Sequence, residues 1–96
     1  MKELKEIYCD LNAQMTEKGY SLERRGSLKD LESFGLSFEE SVGKKFRFFM
    51  DDTDDDGSPN DIMFEGVVIF SQEHGFLAER QSDIYWRSDL REQNDI

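Results

Sequence analysis

The sequence is poor in cysteine and histidine, the residues most often used for disulfides, transition-metal sites and Cys–His catalysis. It has one cysteine, Cys9, so no intrachain disulfide can form, and one histidine, His74. One cysteine and one histidine do not form the spaced set of ligands that a zinc site needs. A Cys–His catalytic pair would have to bring the N-terminal segment against a turn, and nothing in the spacing favours that. We therefore expect a binding protein and not an enzyme, with Cys9 a small buried apolar residue.

Long apolar runs are also missing. No stretch approaches the ~20 consecutive apolar residues of a membrane-spanning helix. The residues after Met1 form an amphipathic segment and not a signal peptide. We expect a cytoplasmic protein with no membrane partner. A chain of 96 residues fits one small domain, residues 1–96, with residues 91–96 frayed at its end.

Basic residues are absent from the centre of the chain, where no Lys or Arg occurs between Arg47 and Arg80. Residues 1–50 carry nine acidic and nine basic side chains, whereas residues 51–96 carry thirteen acidic and three basic ones, which accounts for the net charge of −10. Phosphate contacts need Lys and Arg, so we expect no direct nucleic-acid binding by the second half. Such asymmetry favours a basic partner, although acidity that only maintains solubility would give the same pattern.

The first half of the chain shows helical patterns. Apolar residues recur at the spacing of one helix face and predict a helix over residues 3–18, ending at Gly19. Its apolar stripe consists of Leu4, Ile7, Tyr8, Leu11 and Met15. A second, short helix is predicted from an N-cap at Ser27 to Phe34, and a third from an N-cap at Ser37 to Gly43.

From Lys45 the apolar period changes to two, which predicts strands. The predicted strands cover residues 45–50, 62–70, 76–80 and 84–87. Gly66, inside the second of these, indicates a bulge or a close approach of a helix. The predicted fold class is therefore α+β, with an N-terminal helix and two short helices packed on a four-stranded antiparallel meander.

The only proline lies in an unusual acidic stretch from Asp51 to Asp61. Residues 52–57 read Asp-Thr-Asp-Asp-Asp-Gly and resemble the first half of an EF-hand calcium loop. This resemblance implies calcium as an alternative cofactor, with Asp52, Asp54 and Asp56 as ligands. The second half departs from the pattern, because Pro59 and Met63 occupy the positions of an aliphatic residue and the bidentate glutamate. Strands are also predicted at both flanks, where an EF-hand has helices.

The same stretch is longer than a hairpin connection requires, and its charge is of one sign. We interpret it as a contact surface, with a solvated inert loop as the alternative. The leading hypothesis is an immunity or antitoxin-type inhibitor that neutralises a basic toxin or nuclease. A calcium-binding acidic hairpin domain, a nucleic-acid mimic and a non-catalytic adaptor are the alternatives. The proposed partner-binding residues are Asp51, Asp52, Asp54, Asp55, Asp56, Asp61, Glu65 and Tyr85.

Tyr85, Trp86 and Arg87 follow one another on the last predicted strand and are residue types enriched at interface hot spots. Alternation places Trp86 on the opposite face from the other two. Either Trp86 covers the core while Tyr85 and Arg87 pair with a neighbouring strand, or Tyr85 anchors a partner beside the acidic surface. The exposed face of this strand could also pair two copies edge to edge in a homodimer.

Overall fold

The computed structural model describes residues 4–94, with side chains from residue 4 to residue 90. In this range the chain forms six strands in a single sheet and three short helices. The elements in chain order are β1 (Glu6–Tyr8), β2 (Gly19–Ser21), α1 (Arg25–Ser33), α2 (Phe38–Ser41), β3 (Lys45–Met50), β4 (Ile62–Ser71), β5 (Gly75–Arg80), β6 (Tyr85–Trp86) and α3 (Arg87–Asn94). The predicted architecture of an N-terminal helix and a four-stranded meander is therefore wrong.

The sheet is organised around β4. Strand β3 pairs antiparallel with residues 62–67 on one edge of β4, while β5 and β6 pair antiparallel with residues 66–71 and 62–63 on the other edge. Strand β1 lies parallel to β3, and β2 lies antiparallel to β5. The strands predicted for the second half thus form the centre of the sheet. Of the two outermost strands, β1 comes from the segment predicted as a helix, and β2 begins at Gly19, where that helix was expected to end.

The predicted N-terminal helix is replaced by β1 and by turns that lead into β2. Asp10 accepts a hydrogen bond from the backbone N–H of Asn12 (2.9 Å), which closes a local turn that competes with helix formation. The backbone N–H of Cys9 donates to the carbonyl of Phe49 (2.9 Å), so the segment gains sheet hydrogen bonds. Ile7 and Cys9 are both fully buried at a period of two. Tertiary pairing with β3 overrides the helical spacing of the apolar residues.

The two short helices exist, but their beginnings differ in how well the sequence predicts them. Ser37 caps α2 as expected, with its hydroxyl accepting from the backbone of Glu40 and the Glu40 carboxylate accepting from the backbone of Ser37 (both 3.1 Å). Ser27 does not cap α1, which has Arg24 at the N-cap. Instead Ser27 is buried inside the helix, and its hydroxyl donates to the carbonyl of Tyr8 (2.5 Å), which ties α1 to β1.

The core lies between one face of the sheet and the helices α1 and α2. Phe48 and Phe64 are direct cross-strand partners with ring centroids 5.2 Å apart, and both are fully buried. Each such burial contributes roughly 2–3 kcal/mol to stability. The core cluster consists of Ile7, Cys9, Tyr20, Leu22, Leu31, Phe46, Phe48, Phe64, Val68 and Ala78.

The C-terminal region forms a helix that the sequence analysis did not anticipate. Strand β6 is only two residues long, and α3 begins at Arg87, where the fourth predicted strand was expected to continue. The backbone N–H of Trp86 donates to the carboxylate of Asp89 (3.0 Å), which supports the first turn of α3. The predicted fraying of residues 91–96 falls partly on residues 95–96, outside the described residues, while the backbone of residues 91–94 is helical.

Gly66 marks a close approach of two strand backbones and not of a helix. A Cβ atom at this position would collide with the carbonyl oxygen of Glu79 on β5 and would lie 3.3 Å from the ring of Phe64. Directly beyond this point the chain bulges between β5 and β6, since the backbone N–H groups of Gln81 and Ser82 both donate to the carbonyl of Glu65 (2.8 and 3.2 Å). The absence of a side chain at Gly66 allows β5 to stay close to β4.

We expect Gly66→Ala to lower the free energy of unfolding by roughly 3 kcal/mol or more, because the added methyl group forces β5 away from β4. Gly35→Ala is the control: its Cβ would have no atom within 4 Å, so only the strain of its positive φ should remain, about 1 kcal/mol. Urea denaturation of both variants checks the comparison. Equal midpoints would show that the close approach at Gly66 does not constrain the sheet.

Candidate functional site

The acidic stretch is a structured extension of the β3–β4 hairpin, and we refer to residues 51–61 as the acidic hairpin. Thr53 and Pro59 form an antiparallel bridge. On either side of it, the backbone N–H of Asn60 donates to the carbonyl of Asp52 (2.9 Å), and that of Asp54 donates to the carbonyl of Ser58 (3.0 Å). The two arms therefore continue the hairpin beyond the sheet, and the aspartates are held on a paired backbone.

The tip of the acidic hairpin is a tight turn over residues 54–57. The backbone N–H of Gly57 donates to the carbonyl of Asp54 (3.0 Å), and Gly57 has φ = 86°, a left-handed conformation that favours glycine. No atom approaches within 4 Å of the position where a Cβ of Gly57 would lie. Gly57 is therefore needed for the backbone conformation of the tip and not for close packing.

Three of the aspartates accept hydrogen bonds from the backbone of the hairpin itself. The Asp54 carboxylate accepts from the N–H groups of Asp56 (3.2 Å) and Ser58 (3.1 Å), and the Asp56 carboxylate also accepts from Ser58 (2.9 Å). The Asp52 carboxylate accepts from the N–H of Thr53 (2.8 Å). These are short-range turn contacts that fix the arms and still leave carboxylate oxygens directed to solvent.

Asp54 and Asp56 influence each other's protonation. A hydrogen bond between the two side chains raises the pKa of Asp54 above its ordinary value. The same interaction with Asp54, together with hydrogen bonds from Ser58, lowers the pKa of Asp56 to about 2. The two carboxyl groups titrate as a pair; Asp56 is exposed, and Asp54 is half-buried.

Asp51 and Asp55 are the least constrained carboxylates of the acidic hairpin. Both are exposed, and neither accepts a hydrogen bond from the described part of the chain. Residues 51–56 carry five negative charges, and no Lys or Arg occurs anywhere in the acidic hairpin. The arms and tip therefore form a ridge of uniform charge.

Asp61, at the base of the acidic hairpin, is instead paired with a basic residue of the same chain. Its carboxylate accepts from Nε of Arg87 (2.8 Å), and both oxygens of Glu6 accept from the Nη atoms of Arg87 (2.8 and 3.1 Å). The guanidinium also lies over the ring of Phe49, 5.8 Å from its centroid. This cluster, the Arg87 clamp, joins β1, β3, the acidic hairpin and the start of α3. The hydrogen bonds of the clamp lower the pKa of Glu6 and raise that of Arg87.

Glu65 and Tyr85 likewise have partners within the chain. The Tyr85 hydroxyl donates to a carboxylate oxygen of Glu65 (3.2 Å), and Arg47 lies 3.6 Å from the same oxygen. Burial raises the pKa of Tyr85. Trp86, on the opposite face, is partly exposed and does not close the core. Of the eight predicted contact residues, five lie in residues 51–56 of the acidic hairpin and form no ion pair with the described side chains. The other three, Asp61, Glu65 and Tyr85, form polar contacts within the chain.

The residues proposed as alternative calcium ligands lie in a hairpin between two strands, not between two helices. Asp52 and Asp54 direct one oxygen each to backbone N–H groups of the hairpin. Within the described residues, no group of three or more His, Cys, Asp or Glu side chains could hold a metal ion.

The single cysteine and the single histidine lie in different parts of the fold. Cys9 is fully buried, and burial raises the pKa of its thiol to about 12. His74 lies in the turn between β4 and β5.

Comparison of the chain with profiles of protein families, with curated proteins and with solved structures finds no match. No helix in the described part of the chain has the length and apolar character needed to span a membrane.

The Arg87 clamp was not anticipated from the sequence. Its only signal is that Arg87 is one of three basic residues among the thirteen acidic residues of the second half.

We expect Arg87→Gln to lower the free energy of unfolding by about 1–3 kcal/mol, because Glu6 and Asp61 would lose their ionic partner. The lower part of this range applies if solvent screens the pair strongly, since the Arg87 side chain is 35% exposed. Lys29→Gln is the matched control, because Lys29 is exposed and forms no ion pair with the described side chains. Thermal and urea unfolding of both variants provide the measurement, and equal stability of the two would contradict a stabilising clamp.

The clamp also predicts a pH dependence. The folded-state pKa of Glu6 is below its ordinary value of 4.5, so its contribution is fully present above that pH and is lost as pH falls through the lower folded value. The stability difference between the native chain and Arg87→Gln should therefore be largest near neutral pH and shrink below pH 4.5. Urea midpoints at a series of pH values check this, and a difference that grows toward acid pH would exclude the clamp as its source.

Proposed function

We propose that this chain is a cytoplasmic inhibitor of the immunity or antitoxin type, which neutralises a basic toxin or nuclease by inserting the acidic hairpin into the partner's cationic site. The single observation that carries this function is the acidic hairpin, where five aspartates that form no ion pair with the described side chains are held on a hydrogen-bonded backbone. The contact residues are Asp51, Asp52, Asp54, Asp55 and Asp56. Asp61, Glu65 and Tyr85 support the base of the hairpin from inside the sheet.

The electrostatics of the ridge suit rapid association with a cationic protein. A cluster of one sign raises the local concentration of an oppositely charged partner and accelerates encounter by roughly 10- to 1,000-fold, an effect that salt suppresses. Two arginines near the hairpin already have acidic partners in the same chain. Arg87 is paired with Glu6 and Asp61, and Arg47 is paired with Glu65. Internal cations therefore neutralise the base of the hairpin and leave the charge of its tip for a partner.

The order of the hairpin suits affinity as well as rate. A mobile acidic loop would lose conformational entropy on binding, at roughly 1–2 kcal/mol for each backbone residue that becomes fixed. Here the bridge between Thr53 and Pro59 and the turn at Gly57 already restrict the arms before a partner arrives. Preorganisation of this kind reduces the free energy that binding must supply.

A nuclease is a suitable class of partner because its substrate site must hold phosphates with Lys and Arg. Carboxylates on a protruding hairpin can occupy the same site without being cleaved. The inhibitor would then need binding groups only, in agreement with the lack of a catalytic constellation in the sequence. A duplex mimic would instead require carboxylates spaced along an extended surface, whereas these five are concentrated in six consecutive residues.

The experiment begins with capture of the partner on immobilised protein at low salt, with the basic product of any neighbouring gene as the first candidate. Association with the captured protein is then measured by stopped flow for the double variant Asp51→Asn/Asp55→Asn. We expect the association rate to fall on the order of tenfold at low salt, with little change in dissociation. The salt dependence of the rate should become shallower by the same substitution.

The matched control is Glu17→Gln/Glu32→Gln, which removes the same two charges from exposed positions outside the acidic hairpin. An equal loss of rate in the control would attribute the effect to net charge and would refute the hairpin as the contact. Inhibition of the partner's toxicity or nuclease activity by the native chain is the second requirement. Displacement of duplex DNA from a DNA-binding partner without nuclease activity would favour the nucleic-acid mimic instead.

A further inference from the structure

A second surface with binding character lies at the far end of β4. Three phenylalanines from three different elements are in ring contact: Phe76 of β5 stacks on Phe38 of α2 with centroids 5.3 Å apart and meets Phe70 of β4 at 5.0 Å. Val42, directly after α2, lines the same depression as Phe70 and Phe76. We refer to Phe38, Val42, Phe70 and Phe76 as the phenylalanine patch.

The patch is partly exposed although its residues are strongly apolar. Phe70 is 56% exposed and Val42 is 44% exposed, whereas Phe38 and Phe76 are half-buried and pack against the core. Isolated apolar side chains are common on protein surfaces, but a contiguous group of aromatic rings is typical of an interaction site. The rings hold each other in place, so little side-chain entropy would be lost on binding.

The patch and the acidic hairpin lie at opposite ends of the same strand. The hairpin ends just before Ile62, the first residue of β4, and Phe70 is the penultimate residue of this strand. At about 3.3 Å per residue the two positions are separated by roughly 25 Å along β4. The longest dimension of the described chain is 40 Å. The phenylalanine patch is therefore a surface separate from the one proposed to meet a cationic protein.

The charges around the patch are of both signs, with a net positive charge on one side and a net negative charge on the other. Glu23, Arg24 and Arg25 line a depression beside Phe38, and the Glu23 carboxylate accepts from the backbone N–H of Phe76 (3.0 Å). Glu39 lines the depression beside Phe70, and the Glu73 side chain, in the turn that follows β4, is 84% exposed. Neither arginine forms an ion pair with the side chains described between residues 4 and 90. A two-fold rotation about Phe76 would bring the basic side of one copy against the acidic side of another.

We propose that the phenylalanine patch is the interface of a two-fold homodimer. A chain with a net charge of −10 repels its own copies, and this repulsion is smallest where the acidic hairpins point away from each other. The patch provides that geometry because it lies at the end opposite the hairpin. It combines an apolar centre with a rim whose two sides are complementary under two-fold symmetry. The dimer presents both acidic hairpins outward and does not use the edge of the last strand.

The first test is the molecular mass in solution, measured by sedimentation velocity over a range of concentrations. We expect a mass of twice the 11.3 kDa chain at high concentration. Phe70→Ser should raise the dissociation constant of the dimer by at least tenfold, since it removes the most exposed ring of the patch. Ile84→Ser is the matched control: Ile84 is 47% exposed but adjoins β6 near the hairpin end of β4, and it should leave the dimer intact.

The second test uses charge reversal and does not depend on the apolar centre. Arg24→Glu/Arg25→Glu and Glu39→Arg/Glu73→Arg should each be monomeric, because like charges would then face each other across the two-fold axis. An equimolar mixture of the two variants should recover a dimer, since every pair in the heterodimer is again of opposite sign. Circular dichroism melting confirms that each variant is folded.

A monomeric mass for the native chain at every concentration would overturn the homodimer, whether or not a toxin or nuclease is bound by the hairpin. A dimer that Phe70→Ser leaves unchanged would assign the contact to another surface. A mixture of the charge-reversed variants that stays monomeric would refute the two-fold arrangement. These results are independent of the inhibitor assay, so the two proposals can fail separately.

Discussion

The hydrogen bonding of β4 along both of its edges is the constraint on which the rest of the structure depends. Residues 62–67 bond to β3, while β5 and β6 share the opposite edge. Phe64 and Val68 project from this strand into the core and are fully buried. The two ends of β4 also fix the positions of the two candidate binding surfaces, because the acidic hairpin enters the strand at Ile62 and the phenylalanine patch includes Phe70. The distance between the surfaces is therefore set by the length of one strand.

The distribution of cations determines which carboxylates are open to a partner. Arg87 binds Glu6 and Asp61, and Arg47 lies beside Glu65, so these three acidic groups are neutralised by the chain itself. Removal of these groups from water costs free energy that such pairing offsets. The outer aspartates need no compensation, because they remain hydrated on the arms of the hairpin. Unpaired negative charge is thus concentrated on the acidic hairpin, away from the core. Such a distribution is what electrostatic steering of a cationic partner would need.

Local sequence signals identified two elements correctly, although the N-cap signal at Ser27 was wrong because that residue is buried inside α1. The period-two pattern from Lys45 identified β3, and the Ser37–Glu40 spacing identified the capping box of α2. They failed at residues 3–18, where an apolar stripe compatible with a helix is used in β1 and in a turn instead. The competing contact, parallel pairing with β3, joins residues about forty positions apart, which no local pattern reveals. The Arg87 clamp could not be predicted for the same reason, since Glu6 and Arg87 are 81 residues apart in the sequence.

The sequence alone determined the charge asymmetry, the presence of an acidic stretch between two apolar runs and the scarcity of cysteine and histidine, because these properties depend only on which residues are present and in what order. Only the tertiary structure decided that the stretch is a paired hairpin, that Asp61, Glu65 and Tyr85 have internal partners, and that three phenylalanines meet on the surface. Each of these depends on which backbone segments lie side by side, and long-range hydrogen bonding across β4 sets that arrangement.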